Sequence, residues 1–488
     1  MTLLELRALL PLLLVALTIV VTMLLAGFCR QRRLLFWVYQ LGLLAALLSL
    51  GGNLDLQASG VEVTPLLRID AFFGFFAALF ILVAMCVGLM AAQYFGRREH
   101  LAVPVEECYV LLALCLLGAL VLASAQHLAA LFIGLELMSV ASFALVAYPC
   151  GAAPGSDRLQ LPSLEAGLKY LVLSSVASAF LLFGMACLYL QSGTLAFTRL
   201  SLPVDIPAAG LLPLAGLALL LIGVAFKLAL VPFHMWTPDV YQGAPTPFTA
   251  LIATLSKGAL VAVLLRYLLM SDALQSEQIA AVLRVLAMLS ILVGNLLALR
   301  QDDMKRLLAY SSIAHLGYLL VVFLATGQAD SSEFALQAGA FYLLAYSLTT
   351  LAAFAMIGTL SGGVGESRDY RLQRYSGLCW REPVLGGCFM LILLSLAGIP
   401  LTVGFIGKFY ILAAGAQAGL WWLLVVVVLG SALGLYYYLR IILVLLQQDE
   451  SVRGLRYHSG RWLIYGLTLL LVLLGIYPLP VMQWLPLF

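Results

Sequence analysis

The sequence predicts an all-α polytopic membrane protein with about 14 transmembrane helices. Hydrophobic residues make up 64% of the 488-residue chain, charged residues make up 10%, and the mean hydropathy is +1.07. No soluble globular protein of this length has such a composition. The second observation is the spacing of the apolar runs, since a membrane helix needs about 20 consecutive apolar residues.

Fourteen apolar runs of suitable length follow one another along the chain. They lie at 7–28, 34–52, 71–95, 107–125, 127–149, 163–190, 208–232, 246–270, 278–299, 305–326, 333–361, 384–416, 419–446 and 462–486. The loops between them are short, which predicts one membrane domain over residues 1–488 and no soluble domain. Redox or nucleotide chemistry that needs a globular site is therefore not expected here, and neither is a bound cofactor.

Charge and cysteine content exclude two further classes of function. The formal net charge of +3 is too small to indicate a nucleic-acid partner. The eight cysteines are scattered through apolar runs without a Cys-x-x-Cys pair. They predict neither a disulfide framework nor a metal site.

The loop arginines predict how the chain is oriented. Loops that follow odd-numbered spans hold Arg30, Arg32, Arg33, Arg97, Arg98, Arg158, Arg300, Arg306, Arg368, Arg371, Arg374, Arg381, Arg453, Arg456 and Arg461. The opposite loops hold little beyond Arg68 and Arg199. Positive loops face the cytoplasm, so the odd-numbered loops are expected there. With an even number of spans, both termini are expected on the periplasmic side.

Two apolar segments are interrupted by residues that break helices. The stretch 230–247 carries four prolines, and the run 384–416 contains Gly398-Ile-Pro400. Non-helical backbone at membrane depth is tolerated only where protein or water satisfies its polar groups. Any part of these breaks that lies at membrane depth is therefore predicted to be in contact with protein or water.

The breaks and their neighbouring cations also predict internal symmetry. Lys227 is followed 30 residues later by Lys257, and Lys408 is followed 32 residues later by Arg440. In both places a broken helix with a nearby cation is followed, one span later, by a second cation. The two arrangements lie five spans apart. We expect two inverted five-helix repeats, a common transporter plan. They would occupy about 107–270 and 278–446, with flanking helices within 1–95 and 462–486.

Four ionisable residues lie where a lipid-embedded helix should carry no charge. Lys257 is near the middle of the stretch 247–270, Lys408 interrupts 383–422, Glu136 is the only charge in 127–148, and Lys227 ends a long apolar run. Such a residue costs at least about 3 kcal/mol to insert and usually lines an ion or proton path. Lysine can release its proton, whereas arginine effectively cannot. The alternatives are a structural ion pair and, for Lys227, a snorkelling terminal position.

Other candidates are more ambiguous. Lys169 lies four residues after Glu165, a spacing typical of a helix ion pair. His315 has hydroxyls on its own helix face and suits a proton relay, while His234 lies in the first broken segment and suits a link between sites. Either histidine could instead be a hydrogen-bonded interior residue. Lys305, among other charges at a helix end, is expected to be solvated.

Three of these segments resemble a known family. They are 226–245 (FKLALVPFHMWTPDVYQGAP), 305–318 (KRLLAYSSIAHLGY) and 395–410 (SLAGIPLTVGFIGKFY). Each is similar to the antiporter-like membrane subunits of NADH:quinone oxidoreductase, respiratory complex I, and more narrowly to the N-type subunits. The resemblance covers essentially the whole chain.

The resemblance assigns a role to each matching residue. Glu136 matches the carboxylate of the fifth span, which pairs with Lys227 of the broken seventh. Lys257 matches the central lysine, Lys408 the lysine of the broken twelfth span, and Lys169 a further lysine in the sixth. The family implies that protons move along a hydrated axis in the middle of the membrane, coupled to quinone reduction elsewhere in the complex.

The resemblance further implies partners and a location. Sister antiporter-like subunits and other membrane subunits of complex I are expected beside this chain in a bacterial inner membrane. NADH, FMN, iron–sulfur clusters and quinone are expected to bind partner subunits. Two rival functions stay open, namely a stand-alone or Mrp-type cation/proton antiporter subunit and a structural membrane anchor.

Overall fold

Helices form most of the part of the chain that the structure describes. The computed structural model describes residues 2–96, 106–148, 157–200, 211–271, 274, 276–328, 332–360, 370–447 and 460–483. Within these ranges the predicted spans 1 to 14 are the helices Leu10–Phe28, Arg32–Gly51, Ala71–Gly96, Glu107–Ser124, Leu128–Ala147, Asp157–Ser192, Leu211–Leu228, Thr246–Met270, Glu277–Ala298, Met304–Thr326, Ser332–Leu360, Pro383–Ala397 with Val403–Gln417 (span 12), Trp421–Leu446 and Arg461–Ile476.

Among the described residues, twelve of these helices have the length and apolar composition needed to cross a membrane. The exceptions are span 12, which is divided into two helices of 15 residues each, and span 14, which has 16 residues. The prediction of a polytopic all-α membrane protein is therefore confirmed. Short helices at Leu3–Ala8, Leu54–Ser59, Trp236–Gly243, Leu378–Arg381 and Leu479–Gln483 lie between or beside the spans.

A two-stranded β-hairpin lies among the helices of the described fold. Strand β1 (Val61–Thr64) pairs with strand β2 (Leu67–Ile69) in antiparallel fashion between spans 2 and 3. An all-helical reading of the sequence did not foresee it. Strands of four and three residues carry too weak an alternation to be recognised between two long apolar runs.

Spans 8, 10 and 11 form the centre of the bundle. The buried share of an 18-residue apolar stretch is 94%, 100% and 89% in these three spans. The corresponding shares in spans 1, 2 and 13 are 28%, 33% and 33%. A helix that is apolar on all sides is expected to be buried on all sides when it lies inside a large protein. The same composition on spans 1, 2 and 13 leaves their outer faces for lipid or for other chains.

Span 7 is interrupted at the first predicted break. Its helix ends at Leu228, and Ala229 adopts a left-handed φ of 60°. The short helix Trp236–Gly243 then resumes the path before span 8. The freed backbone finds partners in neighbouring spans, because Val231 N donates to Ser290 Oγ at 3.0 Å. This satisfies the requirement that irregular backbone inside the bundle be hydrogen-bonded.

Span 12 is interrupted at the second predicted break. Its first half ends at Ala397, Gly398 has φ of 84°, and Leu401 has φ of 70°. A left-handed residue after the last helical turn is a frequent helix ending, and glycine adopts it without strain. A Cβ at position 398 would also lie 2.8 Å from Lys408 Cδ. Gly398 therefore both ends the helix and leaves room for the lysine.

The packing of neighbouring spans follows a similar order in the two halves of the chain. Span 4 packs on spans 5 and 8, and span 9 packs likewise on spans 10 and 13. Arg440 differs from its proposed counterpart Lys257, however, because its side chain is 41% exposed and pairs with Asp302. The inverted repeats stay a prediction, with the matched packing order in their favour.

We predict that Gly118 is required for the close approach of spans 4 and 5. A Cβ at this position would lie 2.6 Å from Gly134 O and 2.8 Å from Met138 N, and backbone atoms cannot move aside as a flexible side chain can. Gly118→Ala should therefore destabilise the protein by about 1–3 kcal/mol. The measurement is the midpoint of thermal unfolding in detergent.

Gly466→Ala is the matched control, because nothing lies within 4 Å of a Cβ at Gly466. It should leave the midpoint unchanged or raise it slightly, since alanine favours helix over glycine. Equal midpoints for the two variants would contradict the predicted contact between spans 4 and 5.

Candidate functional site

Lys227 and Glu136 form a loose ion pair between spans 7 and 5. Lys227 Nζ lies 3.8 Å from Glu136 Oε1, and it donates shorter hydrogen bonds to Ser174 Oγ at 2.6 Å and Ser139 Oγ at 2.9 Å. The Ser178 hydroxyl donates in turn to Glu136. Neutral hydroxyls therefore hold the ammonium more closely than the carboxylate does. The pair can separate without leaving either charge unsolvated.

Lys257 is held by a hydroxyl chain at the centre of the bundle. Its Nζ donates to Ser312 Oγ at 2.7 Å, and Ser312 is 2.7 Å from the hydroxyl of Tyr346. The Tyr346 hydroxyl donates to Ala253 O at 3.0 Å. Ala253 lies in a π-helical turn, Ile252–Ser256, directly before the lysine. Wide turns of this kind often occur at functional sites.

His315 is buried in span 10 beside two tyrosines of span 11. Its Nδ1 is 2.6 Å from the hydroxyl of Tyr342, and its ring centroid is 5.4 Å from that of Tyr346. The ring is also close enough to Lys257 and Lys408 to interact electrostatically with both. The structure therefore brings His315 into the group of residues that the sequence singled out.

Lys408 is hosted by the broken end of span 12. Its Nζ donates to Ala397 O at 2.8 Å and to Leu396 O at 3.1 Å, and it lies 5.7 Å from the centroid of the Tyr318 ring. The last carbonyls of a helix have no partner within that helix and carry the negative end of its dipole. The break thus supplies the acceptors for a buried cation that an unbroken helix would lack.

Lys169 and His234 lie outside this hydrogen-bonded group. The Lys169 side chain is 45% exposed and pairs with Glu165 Oε1 at 2.7 Å and Asp239 Oδ2 at 3.3 Å. His234 is buried in the first break, with its ring packed edge-on against Tyr310 at 6.5 Å. Their assignment to the proton path stays a prediction.

Lys305 corrects an expectation from the sequence. It was expected to be solvated, but it is fully buried, donates to Ala244 O at 2.6 Å and lies 4.4 Å above the ring of Tyr370. Met304 N also donates to Tyr370 O at 2.8 Å. The start of span 10 is therefore covered by the segment before span 12, which no local pattern around Lys305 indicated.

Arg266 is a buried charge that the sequence did not single out. It is 0% exposed and forms two hydrogen bonds with Asp70, at 2.7 and 2.8 Å. The Phe72 ring covers its guanidinium with a centroid distance of 4.6 Å. The two partners are 196 residues apart, so neither spacing nor local composition could reveal the pair. It joins span 8 to the start of span 3.

Broken helices and buried lysines inside one apolar bundle define a class, the polytopic membrane proteins that translocate ions. Residues 125–434 match the family described as NADH:quinone oxidoreductase/Mrp antiporter, TM. A Methylococcus capsulatus protein named NADH-quinone oxidoreductase subunit N is 48% identical over 419 residues, which cover 85% of this chain and 81% of that protein. One of the same name from Ectopseudomonas mendocina is 45% identical over 492 residues, covering 98% and 95% respectively.

Solved structures show the same fold. A chain in respiratory complex I from Thermus thermophilus is 34% identical, with a TM-score of 0.79 over 97% of this chain and 98% of that one. A chain of the Mrp complex from Dietzia is 20% identical with a TM-score of 0.83, covering 99% and 96%, a likeness of fold alone. The chain belongs to the NADH:quinone oxidoreductase/Mrp antiporter family.

We predict that Asp70 is required to keep Arg266 buried. Asp70→Ala would leave a fully buried guanidinium without its counter-charge, which costs about 3–5 kcal/mol. The variant should therefore accumulate poorly and show a lowered midpoint of thermal unfolding in detergent.

Glu277→Ala is the control, because it breaks an ion pair with Arg284 in which the carboxylate side chain is 74% exposed. Exposed pairs contribute about 0–1 kcal/mol, so this variant should resemble the parent protein. An Asp70→Ala protein as stable as the control would refute the role of the buried pair.

Proposed function

We propose that this chain is a proton-translocating, antiporter-like membrane subunit of an NADH:quinone oxidoreductase. The observation that carries the proposal is the burial of three lysines, Lys227, Lys257 and Lys408, whose relative exposures are 8%, 1% and 8%. The hydrogen bonds described for Lys257 and Lys408 all go to neutral groups. A buried ammonium without a counter-charge has little to retain its proton.

The proposed cycle begins at Glu136 and Lys227. Quinone reduction elsewhere in the complex changes the charge on the polar axis, and the 3.8 Å ion pair then opens or closes. When the carboxylate moves away, only Ser139 and Ser174 hold the lysine. Hydroxyls accept a hydrogen bond without opposing loss of the proton as a carboxylate does, so the separated lysine releases its proton more readily.

The released proton then crosses the centre of the bundle. The Ser312 hydroxyl accepts from Lys257 and contacts the hydroxyl of Tyr346, and the imidazole of His315 is within electrostatic reach of Lys257 and Lys408. Buried waters would bridge the remaining gaps, as they do between buried polar groups in other proteins. Lys408 is the last titratable lysine on this route before the proton leaves the protein.

The redox chemistry belongs to other chains in this proposal. NADH, FMN, iron–sulfur clusters and quinone would bind partner subunits, and sister antiporter-like subunits would lie beside this chain. The arginine-rich odd-numbered loops would face the cytoplasm of a bacterial inner membrane, which leaves both termini in the periplasm. The names of the two related proteins support assembly into such a complex.

Purification through a tag on this chain tests the proposal directly. After mild solubilisation, flavin- and iron–sulfur-containing subunits should accompany the chain, and the preparation should reduce quinone with NADH. Recovery only with other antiporter-like membrane proteins, and without NADH:quinone activity, would favour the rival Mrp-type antiporter and overturn the proposal.

We predict that Lys257 and Lys408 must be able to release a proton. Lys257→Ala and Lys408→Ala should each lower coupled proton translocation by about 100-fold, the lower end for losing a positioned proton-transfer group. Lysine→Arg at either position should fail as well, since arginine keeps the charge but effectively never deprotonates. Translocation is measured in inverted membrane vesicles together with NADH oxidation.

The control is Arg284→Ala, which removes a cation whose side chain is 37% exposed and should leave translocation unchanged. Lysine variants that assemble and still pump at the parental rate would instead support the rival reading, in which the chain is a structural membrane anchor.

A further inference from the structure

The short helix Trp236–Gly243 presents two different faces to its neighbours. Asp239 and Gln242 are three residues apart and lie on one face, whereas Tyr241 points elsewhere. Asp239 is 40% exposed as a side chain, and Tyr241 is completely buried. The helix thus connects a charged cluster near the protein surface with the interior of the bundle.

The charged face ties the short helix to two spans. Asp239 Oδ1 accepts from Arg306 Nη1 at 2.8 Å, and Asp239 Oδ2 accepts from Lys169 Nζ at 3.3 Å. Gln242 Nε2 donates to Asp303 Oδ2 at 3.0 Å, and its Oε1 accepts from Arg306 Nη1 at 3.1 Å. Span 6 and the start of span 10 are therefore both tied to one carboxylate on the short helix, each through a different oxygen.

Tyr241, on the buried face of the short helix, lies against the central lysine, Lys257. Lys257 Nζ lies 5.4 Å from the centroid of the Tyr241 ring, within the distance of a cation–π interaction. The Tyr241 hydroxyl is buried near Ser312. Phe354 packs against the same ring with a centroid distance of 6.0 Å. The titratable groups that face Lys257 from spans 10 and 11 are His315 and Tyr346.

The short helix is also set apart from span 7. The left-handed Ala229 and the turn that follows separate it from the end of that span at Leu228. A hydrogen bond from Trp236 Nε1 to Phe226 O at 3.0 Å and stacking of the two rings at a centroid distance of 5.7 Å link them across the break. Both contacts involve the first residue of the short helix, so a small tilt about Trp236 need not move Lys227.

We propose that Tyr241 is a positioning residue for Lys257, and that the short helix transmits the state of the Lys169–Asp239–Arg306 cluster to it. The inference rests on the proposed function only in that Lys257 must exchange protons. With the ring in place, the ammonium form of Lys257 is stabilised over the amine. When the cluster rearranges and the helix tilts, the ring withdraws, and Lys257 gives up its proton toward the Ser312 side.

This arrangement gives Lys169 a different role from that of a proton carrier. Its half-exposed ammonium acts through Asp239, by pulling the short helix toward span 6 against the pull of Arg306 from span 10. Neutralising Asp239 should release both pulls at once.

The test uses the whole complex in inverted membrane vesicles. The quantity measured is the pH profile of proton translocation, normalised to NADH oxidation. Tyr241→Leu removes the ring and should move the alkaline limb of the profile to lower pH by about half a unit to one unit, the size of a buried cation–π contribution. Tyr241→Phe keeps the ring and should leave the limb in place. Methionine has nearly the same side-chain volume as leucine, so Tyr241→Met replaces Tyr241→Leu if the leucine variant does not assemble.

A double-mutant cycle tests the link to the charged cluster. Asp239→Asn should shift the alkaline limb in the same direction as Tyr241→Leu, and the double variant should shift it no further, since both changes act through one contact. Additive shifts would show that the two faces of the helix act independently and would overturn the transmission. Glu277→Gln, in a remote exposed ion pair, is the control that should leave the limb unmoved.

The outcomes separate this inference from the proposed function. If Lys257→Ala stops translocation while ring-deleting variants at Tyr241 keep the parental profile, only the positioning role is wrong. An equal shift in Tyr241→Phe would also overturn it, because the hydroxyl and not the ring would then be responsible. If Lys257→Ala translocates normally, the proposed function itself fails.

Discussion

A lysine ammonium can lie inside a membrane protein only where other dipoles replace the water it has lost. In this chain the replacements are serine hydroxyls around Lys227, a serine and a tyrosine face at Lys257, and helix-end carbonyls at Lys408. Each set of dipoles solvates the cation without fixing it through a strong counter-charge. The broken helices and the polar residues inside spans 5, 6 and 10 follow from this requirement.

The three lysines are solvated by different means, and the difference matters for how they respond to charge. Glu136 lies 3.8 Å from Lys227, so in the proposed cycle this site responds to an electrostatic change nearby. Lys408 faces two backbone carbonyls at the end of a helix, which cannot leave without refolding that turn. In the proposed path, the contact that can change is therefore at Lys227, and the fixed acceptors are at Lys408.

The sequence was a good guide wherever a single residue contradicted its own surroundings. A lysine in an apolar run indicates a buried cation, and a Gly-x-Pro inside a span indicates a helix break. The structure confirms both for span 12, where Lys408 donates to a carbonyl at the break. The reasoning failed where the environment comes from elsewhere in the chain. Lys305 looked solvated until residues near 370 covered it, and Arg266 needs Asp70 from the start of span 3. The hydroxyl partners of Lys257 could not be predicted from the sequence either, because they depend on how spans 8, 10 and 11 pack.

The π-helical turn Ile252–Ser256 determines the direction in which the later side chains of span 8 point. A turn that holds one extra residue rotates everything after it by about 100° relative to a regular α-helix. Lys257 is the first residue after that turn, so its direction is set by residue count as much as by residue type. Removing one residue between 252 and 256 would leave the lysine in the sequence but turn it away from Ser312. The position of the central cation is therefore encoded in the length of the helix.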